Sequence, residues 1–177
     1  MKVREILGAK GSRVVTIRSD ATLSAAVHRL ALERIGALVV SDDGLRVAGI
    51  LSERDVVEGL ARDGADLLAT GRRVADLMTR NVVTCGPDDT VKWLMAEMTR
   101  RRVRHLPVLD DGRLVGIVSI GDVVKSRLGE VELEATVLRE AYIATTDRGA
   151  GGLRLPPPER LEQPHQRRDD WSSATGA

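Results

Sequence analysis

The sequence predicts an α+β fold of two β-α-β-β-α repeats packed sheet to sheet, followed by a C-terminal helix and a disordered tail. Three observations carry this. The chain matches itself: RIGALVVSDDG (Arg34–Gly44) aligns with RVRHLPVLDDG (Arg102–Gly112) at an offset of 68, and GILSERDVV (Gly49–Val57) with GIVSIGDVV (Gly116–Val124) at an offset of 67. In each copy apolar residues recur at helical spacing, Leu23, Ala26, Val27 and Leu30 in the first and Val91, Leu94, Met95 and Met98 in the second. Each copy also carries a DDG turn, Asp42–Gly44 or Asp110–Gly112, between apolar runs, as in a hairpin.

Each repeat opens with a β-rich run, Val14–Ile17 or Val82–Thr84, then a polar turn and the first helix. The hairpin strands are Ala37–Val40 with Val47–Leu51, and Leu106–Leu109 with Leu114–Val118; a second helix begins near Ser52 or Ser119. Repeat one is placed at 1–70 and repeat two at 71–128. Each has roughly 50 residues of regular structure, too few to bury one face of a sheet alone. Face-to-face packing of the two copies solves this, whereas independent beads would be marginal. The stretch 129–144 has Val131, Glu134, Ala135, Leu138 and Tyr142 along one side, a helix able to cap the module or pair two chains. The remainder, 145–177, holds four of the six prolines and few large apolar residues, so it is expected to be disordered.

Bulk composition narrows the function. Charged residues make up 30% of the chain but the net charge is only +1, which gives no reason to expect nucleic acid or a membrane as partner. Aromatics are few (Trp93, Tyr142 and Trp171, no Phe), so base-stacking platforms are lacking. Cys85 is the one cysteine, and no apolar run approaches a membrane span. A soluble, cytoplasmic protein is expected.

The most informative motif is the repeated G-h-h-S-x-x-D junction between strand and helix: Gly49-Ile50-Leu51-Ser52-Glu53-Arg54-Asp55 and Gly116-Ile117-Val118-Ser119-Ile120-Gly121-Asp122. Read locally, it is a capping box, with Ser at the helix start and the acid reaching back. Read chemically, the glycine opens space for a ligand, a helix N-terminus with a free hydroxyl suits a phosphate, and Asp55 or Asp122 suits two vicinal hydroxyls of a ribose. The junctions, with RIGALVV, RVRHLPV and the S/P-D-x-T turns, resemble the cystathionine-β-synthase (CBS) domain family over roughly residues 1–128. The resemblance implies a pseudo-two-fold pair with two clefts that bind AMP, ADP, ATP, S-adenosyl compounds or NAD(H). It implies phosphate and ribose contacts at Ser52 and Asp55, and at Ser119 and Asp122, with Arg54 and Gly121 in the same turns. It assigns the adenine pocket to Thr16, Ile17, Ile35, Gly36 and Ala37, with Val83, Thr84, Val103, Arg104 and His105 as counterparts.

The clefts cannot be equal, since Gly36-Ala37 and Val39 stand where the second repeat has Arg104-His105 and Pro107. Gly121 and Ile120 replace Arg54 and Glu53, so the Asp122 cleft is expected to bind more tightly. Arg100, Arg101, Arg102 and Arg104 suit a helix C-terminus, with Arg104 also placed to meet a phosphate. His105 is read equally as a phosphate partner or a polar strand start; His28 reads as solvated and His165 lies in the tail. Scattered histidines and one cysteine exclude a zinc site, and Cys85 reads as a buried structural residue. There is no nucleophile–base pair, G-x-G-x-x-G or P-loop, so no enzyme activity and no required cofactor are expected. The chain therefore reads as an adenine-nucleotide sensor (AMP, ATP or NAD(H)) acting on an unknown protein target. The alternatives are a ligand-free dimerisation module and, third, a DNA-binding regulator. Apolar Val56, Val57, Leu60, Val123, Val124 and Leu128 on the outer helices predict a homodimer.

Overall fold

The protein is described by a computed structural model covering residues 1–69 and 71–146, with side chains to residue 143. The expected tail at 145–177 lies almost wholly outside the described residues. A first helix, α1 (Val3–Lys10), precedes repeat one: β1 (Thr16–Ile17), α2 (Leu23–Glu33), β2 (Ala37–Val40), β3 (Gly49–Ser52) and α3 (Glu53–Asp63). A short α4 (Asp66–Ala69) and a 3-10 turn at Val74–Asp76 lead to repeat two: α5 (Val91–Arg101), β4 (His105–Asp110), β5 (Arg113–Ser119) and α6 (Ile120–Thr146).

The two repeats share their local logic. Thr22 and Thr90 cap α2 and α5, accepting from the N–H of Ala25 and Trp93 at 3.2 Å each. Arg34 and Arg102 end these helices in the left-handed region, at φ 52° and 55°. β2 pairs antiparallel with β3 and parallel with β1, while β4 pairs antiparallel with β5. Only the second hairpin turns tightly: Asp111 and Gly112 both have positive φ, 47° and 74°, as a type I′ turn requires. The first hairpin has one residue more. Its loop is organised by Asp43, whose Oδ1 accepts the N–H of Leu45 at 2.8 Å and of Arg46 at 2.7 Å. This extra residue is why the self-match slips from 68 to 67.

Two cores form, one per repeat. Leu23, Leu30, Leu38 and Leu51 anchor the first; Val91, Leu94, Met98, Leu106 and Val118 anchor the second. Each borrows from the other repeat's leader. Val3 and Ile6 of α1 are buried in the second core, whereas Leu67, Val74 and Met78 are buried in the first. Val3-Arg4-Glu5-Ile6-Leu7 and Val74-Ala75-Asp76-Leu77-Met78 are thus equivalent leaders, now at an offset of 71. The two repeats meet where the His105 ring lies against Gly36.

Several expectations are corrected. Val82–Thr84 is not a strand; the ladder contact falls at Cys85, which bridges Val108, while Val82 and Val83 line a cleft. The helix at 129–144 is not separate: α6 runs unbroken through Gly129, with no proline to stop it. Met1–Glu134 forms one compact unit, and the last described turns of α6 belong to a second. Met95 is exposed rather than core. Of the six outer-helix apolar residues, Val56 and Val123 are buried in their own cores and Leu60 packs against the first; Val57, Val124 and Leu128 are exposed by 64%, 48% and 58%. The helix faces are therefore half as apolar as expected. No helix among the described residues is long and apolar enough to cross a membrane.

Candidate functional site

Strand β3 ends at Ser52 and α3 begins at once, because Ser52 and Asp55 form the capping box. Asp55 Oδ2 accepts from the Ser52 N–H at 2.7 Å and the Ser52 hydroxyl at 2.6 Å; the Asp55 N–H donates back to Ser52 Oγ at 3.3 Å. Ser119 and Asp122 repeat it at 2.7, 2.8 and 3.2 Å. The local reading is therefore physically present in both repeats. It also corrects the idea of a free hydroxyl, since each serine's single proton is committed to its aspartate. The first N–H of α3, from Glu53, is likewise taken by the Gly36 carbonyl at 3.1 Å. What stays open at the first junction is Asp55 Oδ1, which has no partner among the described residues.

The glycines ahead of the serines serve a different purpose from the one expected. A Cβ on Gly49 would lie 2.6 Å from Met78 Sδ, and one on Gly116 would lie 2.7 Å from Leu7 Cδ2. They admit a side chain from the equivalent leader, not a ligand.

A cavity of about 490 Å³ opens at the first junction, within the roughly 300–1,000 Å³ usual for small-molecule sites. One wall comes from repeat one: Gly36, Ile50, Ser52 to Asp55, Val57 and Glu58. The other comes from repeat two: Thr79, Asn81, Val82, Val83 and Arg102 to His105. The Ile50 backbone fixes the far wall, exchanging hydrogen bonds with Thr79 at 3.0 and 2.9 Å.

The cavity gathers Gly36, Ser52, Arg54, Asp55, Val83, Val103, Arg104 and His105 from the expected set. It excludes Thr16, Ile17, Ile35, Ala37 and Thr84. Thr16 sits in the β1–β2 ladder opposite Val39, Ile17 and Ala37 are buried, and Ile35 packs on the first core. Sequence reasoning missed Thr79 and Asn81, which directly follow the unrecognised leader Val74 to Met78. It also gave Arg102 only a helix-end role; Arg102 does end α5, but it lines the cavity as well.

The cavity's charges are unevenly engaged. Arg54 leans along α3 toward Glu58, Nε to Oε1 3.6 Å, at the rim. Arg100 and Arg101 turn to Glu97. Arg102 and Arg104 line the cavity and have no ion-pair partner among the described residues. His105 is half-buried. Burial chiefly pushes its pKa below the usual histidine value, against the pull of Asp122 and Glu53, so at neutral pH it is an uncharged imidazole.

The second junction differs. Gly121 lines a groove along α6 with Ile120, Val124 and Leu128, which takes in neither Ser119 nor Asp122. Lys10 of α1 reaches Asp122, Nζ to Oδ2 2.6 Å, in a half-buried contact. Burial would raise the Asp122 pKa, but the hydrogen bonds from Lys10 and Ser119 outweigh it and hold the carboxyl below its usual range. The ground for expecting the tighter site there, an unobstructed Gly121, overlooked this lysine. Cys85 is buried, its thiol pushed up to about 12 by burial and then by Asp89. No group of acids, histidines and cysteines able to hold a metal occurs among the described residues.

Known proteins share this architecture. The CBS domain family model matches residues 3–62 and 74–129. The mitochondrial CBS domain-containing protein CBSX3 of Arabidopsis thaliana is 37% identical over 129 residues, 71% of this chain and 61% of that protein. The chain thus spans less than two thirds of that relative's length. A CBS-domain-containing protein of Agrobacterium tumefaciens, solved as a crystal structure, is 45% identical with a TM-score of 0.69, covering 72% of this chain and 99% of that one. The CBS domain pair of protein MJ0100, in complex with 5′-methylthioadenosine and S-adenosyl-L-methionine, is 27% identical with a TM-score of 0.64, covering 73% and 98%. With both repeats matched in register and the capped junctions in place, the chain belongs to the CBS domain family.

Proposed function

We propose that this chain is a regulatory module that binds an adenine nucleotide in the Asp55 cleft and passes the event to a partner by a change in shape. The observation that carries it is the cavity at the first junction, lined by an open carboxylate oxygen, an apolar wall and two arginines with no ion-pair partner among the described residues. Asp55 Oδ1 is suited to a ribose diol. Arg102 and Arg104 are suited to the phosphate that the committed serine hydroxyl cannot serve. Val82, Val83 and Val103 supply the apolar surface against which an adenine ring is buried. The relative solved with two adenosine ligands supports the ligand class. AMP, ATP and NAD(H) all carry the required ribose and phosphate, with AMP fitting the small cluster best.

On this reading the module is not an enzyme: the one thiol is buried and raised out of nucleophilic range, and each junction serine commits its hydroxyl proton to its own aspartate. A cytoplasmic setting and a homodimer through Val57, Val124 and Leu128 belong to the same proposal, the latter checked by light scattering. Calorimetry tests the site: Asp55→Ala should weaken AMP about ten- to a hundredfold, by loss of hydrogen bonds to a charged group. An unchanged affinity would sink the assignment. If the dimer forms and no nucleotide binds, the module is a ligand-free pairing device.

A further inference from the structure

We propose that Lys10 is the residue that closes the second cleft, so that the chain offers one nucleotide site rather than two. The inference deepens the reading of the Asp55 cleft and rests on it. The two junctions are built alike down to their capping bonds, yet among the described residues only Asp122 has a cation on it. The cause lies in the leaders. From Met78 to Val82 the chain takes four steps, whereas from the equivalent Leu7 to Val14 it takes seven. In repeat two the leader ends early and Thr79 bridges Ile50. In repeat one the three extra residues let α1 continue to Lys10, stopping at Gly11, whose φ of 88° favours glycine. The Gly11 N–H donates to the Leu7 carbonyl at 2.8 Å. This fixes the last turn, while Leu7 seats against Gly116.

Lys10 thus projects from a helix anchored in the second core by Val3 and Ile6, and its ammonium sits 2.6 Å from Asp122 Oδ2. The contact is 31% exposed on the lysine side and 23% on the aspartate side, and that oxygen already accepts both Ser119 donors. Asp122 Oδ1 keeps no hydrogen-bond partner among the described residues, but a ribose approaching it meets a carboxylate whose charge the ammonium on the other oxygen already neutralises. The lysine acts as a built-in competitor at high effective concentration.

Calorimetry on the full chain with AMP tests this in the Asp55→Ala background, where only the second cleft remains. Asp55→Ala/Lys10→Met should bind AMP at least about tenfold more tightly than Asp55→Ala alone, the usual effect of one charge-assisted bond. The wild-type chain should take up one AMP. Two AMP of similar affinity in the wild type, or no gain from Lys10→Met, overturns the latch. So does a loss, which would make Lys10 a phosphate ligand. If the wild-type chain binds no AMP, the nucleotide reading fails by itself, and the latch is then judged by the Asp122 carboxyl titration followed by NMR. Lys10→Met should move that midpoint upward; an unmoved midpoint overturns the proposal.

Discussion

Replacing Gly49 with alanine probes the join between the two repeats and the wall of the cleft together. The new methyl lies 2.6 Å from Met78 Sδ and 3.0 Å from both Met78 Cγ and the Thr79 carbonyl oxygen. That carbonyl accepts the Ile50 N–H at 3.0 Å, and the Thr79 N–H donates to the Ile50 carbonyl at 2.9 Å. The backbone cannot retreat without loosening both bonds. Overpacking costs about 1–3 kcal/mol and a weakened hydrogen bond up to about 1.5 kcal/mol. Reduced freedom of the unfolded chain returns about 0.4–1 kcal/mol. Gly49→Ala should therefore destabilise by about 2 kcal/mol net. Gly116→Ala meets the Leu7 side chain, its methyl ends at 2.7 and 2.8 Å and Cγ at 3.4 Å, with no backbone atom among the nearest three. A flexible tip can turn aside, so the cost there is expected at about 1 kcal/mol or less. Urea denaturation of the two variants, read as midpoints at unchanged slope, gives the comparison. A neutral Gly49→Ala, or a Gly116→Ala equally damaging, would refute the argument that the Thr79 bridge makes this wall rigid.

Two further outcomes follow from the titrating groups. His105 has a folded pKa below its ordinary 6.5, so the unfolded chain takes the proton first. Stability attached to it is full above that value and is lost as pH falls toward the lowered one. His105→Gln should flatten the stability profile as pH falls below about 6.5, and a profile unchanged by the substitution would show that His105 is not the group responsible. Cys85, held as a thiol, should react with a thiol reagent at pH 8 about a hundredfold more slowly in the folded chain than in urea. Equal rates would mean that its burial is not maintained.

The strands of both hairpins and the helices between them could be read directly, because alternation and helical spacing survive in both copies and the offset barely slips. The leaders were lost for two reasons. Only the valine is shared between VREIL and VADLM, and their offset of 71 falls outside the register set by the rest. That one omission hid Thr79 and Asn81, the occupants of the glycine notches, and the length difference that delivers Lys10. The junction motif was recognised, but which of its atoms are available depends on hydrogen positions within the cap. A serine that looks like a phosphate donor in sequence is spent on its own aspartate. Ile17 and Ala37 were assigned to the adenine pocket by the family resemblance; in the structure their side chains are buried in the core.

The exchange of leaders between the cores bears on how such a chain arose. A single repeat with its leader would leave a groove where Val3 and Ile6, or Val74 and Met78, now lie, and its own leader would have nowhere to dock. Two separate copies would satisfy each other by trading arms, as in a swapped dimer. Joining them through the segment from Asp63 to Arg73 makes that trade intramolecular, so closure no longer depends on protein concentration. Once joined, the arms need no longer be identical. In this chain the arms differ by three residues: the shorter ends beside an open cleft, and the longer carries a lysine to Asp122.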